Sequence, residues 1–519
     1  MLFIFTDYWS YHLGYALAFK NFQHAGLTLF YLLLVGGAVG GFVVWKKRFP
    51  KRKIQLNGLS LATVGLLLGV LGAYWSVRTT GVAELSFVDA VNIFFRAFGV
   101  LLAVYIVIIG PWYVIGTTLA RRLRIGATTG SLNVIRLGLG ITVWSLLLFF
   151  LGTVQLLRPI VLFPLILLTL GVGWRTTLTY LRDGLWTPIS HKKDLSGVGV
   201  VGVLIVLLFL GFNFLQIQRP FPFGFDSLAL YSNLPALISG KQGLVPGFQP
   251  YYWSLIMAQG FVLFNLTNFN LVISFLGVAL SVYAMFHLGR RWLNTDYAWL
   301  GCAVFVTIPA INFQSYKDMK IDMGLLFVSL SVVLLFLTWI DQYRKQVDTD
   351  ADFRTTHLGY AAGMGLMLGL ALGIKFTAVF LLFATIGALW YVLGGRIAFI
   401  AVFLLSVAAI FLAGVDNMTG LRSYHLGVRW LTFLLLPVGL VLFGMAFVRR
   451  RDTALLGVRI SVMIGLFLLL TFLPWPVKNY VETRQVNFRA LVFGEQAGAK
   501  DGVRDFERSY RLWKAERGN

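Results

Sequence analysis

The 519-residue chain is 58% hydrophobic and only 13% charged, with a mean hydropathy of +0.79. Soluble domains carry roughly twice that share of charge, so the composition excludes a soluble enzyme and points to an all-α polytopic membrane protein. The formal net charge of +23 resides mostly in Lys and Arg of the loops between apolar runs. There it sets orientation, and no basic soluble module for nucleic acid accompanies it.

Residues 1–21, MLFIFTDYWSYHLGYALAFKN, lack a basic start and are interrupted by Asp7 and His12, so no cleavable signal peptide is expected. Apolar runs predict spans near residues 25–45, 56–77, 93–119, 135–157, 159–174 and 197–217. After a long polar interruption they resume near 270–289, 297–313, 323–340, 358–373, 376–393, 397–414, 430–448 and 456–474. That makes about fourteen transmembrane helices. The single cysteine, Cys302, falls inside one of these runs, so no intramolecular disulfide can form.

Basic clusters set the orientation: Lys46/Lys47/Arg48/Lys51/Arg52/Lys53, Arg121/Arg122/Arg124, Lys192/Lys193, Arg290/Arg291, Arg344/Lys345 and Arg449/Arg450/Arg451. With all of them cytoplasmic the spans alternate consistently. One condition attaches: residues 250–266, PYYWSLIMAQGFVLFNL, must not cross, and are expected to lie in the interface or dip part-way in. The interruption Arg219–Trp253 then faces outward, and the chain divides into an N-terminal block 1–195, a region 196–480 holding the long outward features, and a polar outward tail 481–519.

Acidic residues number only 21, so the outward ones stand out: Asp7, Glu84, Asp89, Asp226, Asp318, Asp322 and Asp416, apart from those of the tail. Asp226 sits among Phe221, Phe223, Phe225 and Tyr231, between prolines and glycines. Such a loop does not solvate well, which marks its carboxylate as a candidate for chemistry. Asp318 and Asp322 share the loop QSYKDMKIDMG with Lys317 and Lys320; charge neutralisation at a span's end is the plain alternative there. Asp322 opens an apolar run, where an ionised group needs a partner or water. Lys375 separates two short apolar runs, either as a snorkelling lysine or as a cation for an anionic headgroup. The histidines show no ligand spacing, so no preformed metal site is indicated.

Read together, FDSLALYSNLPALISGKQGL, Gln249-Pro250-Tyr251-Tyr252-Trp253, Gly289-Arg290-Arg291, Ile321-Asp322-Met323, GLALGIK ending at Lys375, and Pro474-Trp475-Pro476-Val477-Lys478-Asn479-Tyr480 follow a recognisable order. From about residue 218 to 480 the chain resembles the GT-C superfamily of polytopic membrane glycosyltransferases. It is most similar to the bacterial protein mannosyltransferase and aminoarabinose transferase type. It departs from that pattern in its extra N-terminal spans, in Ser227 where an Asp-Glu pair is frequent, and in lacking a folded soluble domain after the last span.

The resemblance implies an enzyme of the bacterial inner (plasma) membrane with its site facing the periplasm or exterior. A sugar would pass from a polyprenyl-phosphate-linked donor to an acceptor hydroxyl on lipid, glycan or protein. Asp226 would be the general base, Asp322 would orient the base or acceptor, and Asp318 would substitute if the pairing is different. Lys317, Lys320, Lys375 and Lys478 would hold the lipid phosphate, with Tyr231, Tyr251, Tyr252 and Trp253 on the acceptor or donor loop. No cofactor is named by these residues, and a divalent metal stays open. The competing class is a multispan transporter or flippase of lipid-linked or polar solutes, which should place charge inside its spans.

Overall fold

A computed structural model describes residues 57–80, 86–185, 195–218, 230–246, 248–317, 319–347, 353–412, 429–486 and 488–494, with a few positions between 36 and 48. All regular structure among these residues is helical. In chain order the helices are α1 (Gly58–Thr80), α2 (Phe87–Val104), α3 (Gly110–Arg122), α4 (Thr129–Thr153), α5 (Pro159–Val172), α6 (Trp174–Leu185) and α7 (Gly197–Gln216). Next come α8 (Asn233–Lys241), α9 (Tyr252–Phe264), α10 (Thr267–Gly289), α11 (Thr295–Thr307), α12 (Pro309–Tyr316) and α13 (Asp322–Val347). The last are α14 (Phe353–Ile374), α15 (Val379–Leu412), α16 (Arg429–Arg449), α17 (Arg451–Phe472), α18 (Pro474–Thr483) and α19 (Phe488–Phe493).

Nine helices among the described residues are long and apolar enough to cross a membrane, or up to eleven if each of two bent pairs is one span. The bent pairs are α5–α6, at 87°, and α11–α12, at 69°. Pro159 and Pro309 open α5 and α12, at the first helical turn where proline's missing N–H costs nothing. The molecule is therefore an integral membrane protein. The expected first span, 25–45, lies almost wholly outside the described residues.

The chain folds as two compact units. The first comprises residues 1–118, 128–244 and 253–330; the second comprises 119–127, 245–252 and 331–519.

In the first unit, α7 is the central helix. It packs on α1, where Gly69 lies against Gly211, and on α11, where Gly202 lies against Trp299 and Leu300. Between spans there is no hydrophobic driving force, so close approach at small residues supplies the packing energy instead. Val206, Phe209, Phe286, Trp299 and Cys302 fill the resulting core. One buried amide here is fully engaged: Asn213 Nδ2 donates to Asn312 Oδ1 at 2.7 Å and to Ser315 Oγ at 2.6 Å. Asp89, one of the outward acids, forms a capping box with Ser86 at the start of α2, which gives it a structural role.

Helix α9 covers the segment expected to lie in the interface or dip part-way in. Its 13 residues span about 20 Å, too short to cross the hydrocarbon core. Yet every residue from Tyr251 to Leu263 is buried, so it is an internal helix with no face left for the interface. Gly260 rests on the backbone of α10 at Asn270, and Trp144 Nε1 donates to Gln259 Oε1 at 2.8 Å.

In the second unit, Gly365 and Gly369 seat α14 against α17 at Ile464 and Leu468. Tyr360 clasps the 119–127 segment by donating to Gly126 O at 2.7 Å and accepting from Gly126 N at 3.0 Å. Helix α15 is broken at Gly395, whose φ of 75° and ψ of −166° are non-helical. Phe399 folds back to within 3.2 Å of where a Gly387 Cβ would stand, so the two arms pack as a hairpin. These arms correspond to the separately predicted runs 376–393 and 397–414. Only glycine occupies that backbone region without strain, at a cost of about 1–3 kcal/mol for other residues. Gly395→Ala is expected to lower stability by that amount, read as a drop in melting temperature of the detergent-solubilised protein; an unchanged melt would remove the hairpin assignment.

Candidate functional site

Asp226 and Asp318 lie outside the described residues, as do Asp416 and most of the polar tail, from 495 on. The remaining candidates fall into two groups, one in each unit.

In the first unit, α12 ends at Lys317 and a short connection through Lys320 leads into α13, whose first residue is Asp322. Leu325 N donates to Ile321 O at 3.0 Å, which sets Asp322 in the opening turn. A carboxylate there is favoured by the N-terminal end of the helix dipole. The Lys317 ammonium stands 5.5 Å from the Phe313 ring centroid, and Ser274 Oγ donates to Lys320 O at 3.5 Å. Trp253 is fully buried under this turn, its indole packed against Gly324, and its Nε1 has no acceptor among the described residues. Tyr231 is half-buried at the entry to α8.

In the second unit the chain brings together two motifs more than two hundred residues apart. Tyr251 and Tyr252 meet Trp475, with ring centroids at 4.5 and 5.2 Å. Proline at 474 and 476 starts α18 immediately after α17, and this turn drives Trp475 inward to full burial. Gly373, near the end of α14, lies against the Tyr252 ring and 3.3 Å from Trp475 Nε1, measured from where its Cβ would be. Tyr252 donates its hydroxyl to Thr471 O at 2.7 Å. Tyr251 accepts from Val245 N at 2.7 Å and donates to Val245 O at 3.0 Å, closing the 245–252 segment into a ring. Burial pushes the Tyr251 phenol well above its usual range, against the lowering effect of the Val245 hydrogen bond, so it stays protonated.

Lys478 is the charged member of this cluster. Its Nζ lies 2.9 Å from Glu482 Oε2, one turn along α18, and 5.7 Å from the Trp475 ring centroid. Its side chain is 6% exposed, against 22% for Glu482. Burial lowers the Lys478 pKa, and the Glu482 charge and hydrogen bond oppose that shift. Next to it Asn479 donates to Leu491 O at 2.9 Å, which ties α18 to α19. Lys375 follows α14 in extended conformation and interrupts it before a 3-10 turn at Phe376–Ala378. This is the break that the two short apolar runs predict.

Tyr251, Tyr252 and Trp253 are thus packed away, so they position the loop and do not line an open surface. Glu482 is the residue that sequence reasoning missed. Its spacing of four from Lys478 on a helix was the available signal. Among the described residues no three His, Cys, Asp or Glu side chains gather as metal ligands.

Fold and site together define a polytopic helical membrane protein with a buried lysine–glutamate pair set in an aromatic cluster. No protein-family profile, no curated protein and no solved structure matches the chain.

Proposed function

We propose that the chain is a membrane glycosyltransferase of the GT-C type, with about fourteen spans in the full chain. It would move a sugar from a polyprenyl-phosphate-linked donor to an acceptor hydroxyl at the outer face of the membrane. Asp226 takes the acceptor's proton, and Asp322 orients the base or acceptor. Lys317, Lys320, Lys375 and Lys478 answer the charge that develops on the leaving phosphate. The observation that carries this reading is the meeting of two motifs named by the resemblance. Tyr251-Tyr252 and Pro474-Trp475 interlock, and a buried lysine is held at their junction. A basic group kept at low exposure by a carboxylate is suited to exchange that partner for a phosphate oxygen.

The test compares envelope glycans and lipids by mass spectrometry in a strain deleted for this protein, complemented with wild type or with Asp226→Asn. Wild type should restore a glycan mass that the deletion loses, and the mass difference names the sugar. Asp226→Asn should remain membrane-inserted and restore less than about 1% of it, as expected when a general base is removed. Full restoration by Asp226→Asn would overturn the base assignment.

One observation favours the transporter reading: Arg136 lies two turns inside helix α4, which is long and apolar enough to span. Counterflow of a lipid-linked solute in liposomes, with no covalent transfer, is the outcome that would select it.

A further inference from the structure

In the first unit a polar cluster joins helices α3, α4 and α10, each part of an apolar segment long enough to span. Arg136 follows Thr129, the first residue of α4, by two turns, about 10 Å along the axis. Its Nη1 donates to Tyr113 Oη and to Asn133 Oδ1, both at 3.0 Å, and Tyr113 donates to the same Asn133 oxygen at 3.0 Å. Tyr283 of α10 stands beside Asn133, Tyr113 and Arg136. Tyr180 stacks on Tyr105 at 4.5 Å and lies tilted against Tyr113 at 4.9 Å, and His287 packs edge-on to Tyr283 at 4.6 Å.

Two features make this more than a satisfied arginine. Both described partners of the guanidinium are neutral, and its buried Nε–H has no acceptor among the described residues. Nε and Nη2 form the side edge of the guanidinium, the fork that takes two oxygens of one phosphate or carboxylate. A charge inside a span is costly unless such a partner is supplied.

The second feature is the cavity next door. It holds about 260 Å³ and is walled by Leu66, Leu101, Leu210, Phe214, Ala279 and Tyr283, among other almost wholly apolar residues. Apolar cavities of this kind exclude water and accept hydrocarbon; one of about 150 Å³ already takes a benzene ring. Tyr283 belongs to both places: it lines the cavity and stands beside the Asn133–Arg136 network. A polar head group and a greasy pocket one tyrosine apart describe an amphiphile.

We propose that this block binds a phosphate-bearing membrane lipid, its phosphate on the Nε–Nη2 edge of Arg136 and part of a hydrocarbon chain in the cavity beside Tyr283. The cluster sits toward the ends of α4 and α10 that adjoin Arg121/Arg122/Arg124 and Arg290/Arg291. The lipid therefore comes from the leaflet on the basic-loop side. The site is independent of the glycosyl transfer proposed above.

The experiment uses the full chain reconstituted in phosphatidylcholine nanodiscs doped with a photoreactive diacyl phosphatidic acid. Crosslinked lipid is quantified by intact-protein mass spectrometry, with and without inorganic phosphate as competitor. Wild type should retain phosphatidic acid. Arg136→Gln should lower retention about tenfold or more, the equivalent of losing one charge-assisted contact. Arg136→Lys should fall between, because lysine lacks the fork. Ala279→Phe should fill the cavity and lower retention with Arg136 intact. Thermal melts report folding of each variant, and Arg136→Lys with Ala279→Phe decides the matter if Arg136→Gln does not fold. Retention equal to wild type in both Arg136→Lys and Ala279→Phe overturns the proposal. Displacement by inorganic phosphate with no effect of Ala279→Phe leaves an anion site and overturns its lipid half.

Discussion

Glu482→Gln is expected to destabilise the protein by about 3 kcal/mol, because it strands the Lys478 ammonium in a buried setting. Attraction between two buried charges only roughly offsets their loss of water, so removing one partner exposes the whole desolvation cost of the other. The reverse substitution, Lys478→Met, is milder, since Glu482 is the more exposed of the two. Changing both, as Lys478→Met with Glu482→Leu, should bring the melting temperature back near wild type, because an apolar pair of similar volume is often neutral or stabilising. Function separates the two roles of the pair. If Lys478 answers the charge of a lipid phosphate, the double variant recovers stability while the envelope glycan stays missing. Recovery of both would reduce the pair to packing.

The same lysine gives stability a pH dependence with a definite sign. Its folded pKa lies below the unfolded value of 10.5, so at intermediate pH the unfolded chain holds the proton more tightly. Folding stability from this group therefore rises as pH climbs through the folded pKa toward 10.5, where the penalty of a buried ammonium is relieved. Melting temperature measured from about pH 8 to 10.5, wild type against Lys478→Met, isolates that slope, and parallel curves would remove it.

Much of the helical frame was legible because a span announces itself by length and apolarity alone. The runs at 197–217, 270–289, 323–340, 358–373 and 456–474 each reappear as a described helix, none overrunning its helix by more than two residues. Other features turn on what surrounds a helix, which no single run contains. Residues 250–266 read as a helix in the interface or dipping part-way in, because the segment is short, opens with Pro250 and carries Trp253 and Gln259. In the fold the segment meets Asn270 of the next helix and the more distant Trp144 and Gly324, and Tyr251 to Leu263 are all buried. Arg136 was drawn into the edge of the run 135–157, where a terminal arginine is unremarkable. Helix α4 begins earlier, at Thr129, and those six further residues set Arg136 well inside the helix. The order of Tyr251-Tyr252 and Pro474-Trp475 was visible as a resemblance. Their contact required the α14–α17 pairing through Gly365 and Gly369 that brings Thr471 and Gly373 to the same place.

Trp475→Ala is expected to have the largest effect of any single change in the second unit, about 3–5 kcal/mol. The indole is fully buried and touches Tyr251, Tyr252, Gly373 and Lys478, contributions from three separate stretches of chain. Alanine leaves a void that these neighbours cannot close. Tyr251 is fixed by Val245 and Tyr252 by Thr471, so neither ring can swing in without breaking its hydrogen bonds. The cavity and the lost aromatic contacts act together. Trp475→Phe keeps a ring against both tyrosines and should lose less than half as much. Gly373→Val attacks the same junction from the other side, since its Cβ would collide with the Tyr252 ring, which Trp475 holds in place. In the double variant Trp475→Ala with Gly373→Val, the freed space can take the displaced tyrosine ring. The two losses should then be clearly less than additive. Thermal melts of the four proteins in one detergent measure that coupling. Strictly additive losses would mean that Trp475 and Gly373 do not share one packed junction, and the aromatic cluster would lose its claim to organise the second unit.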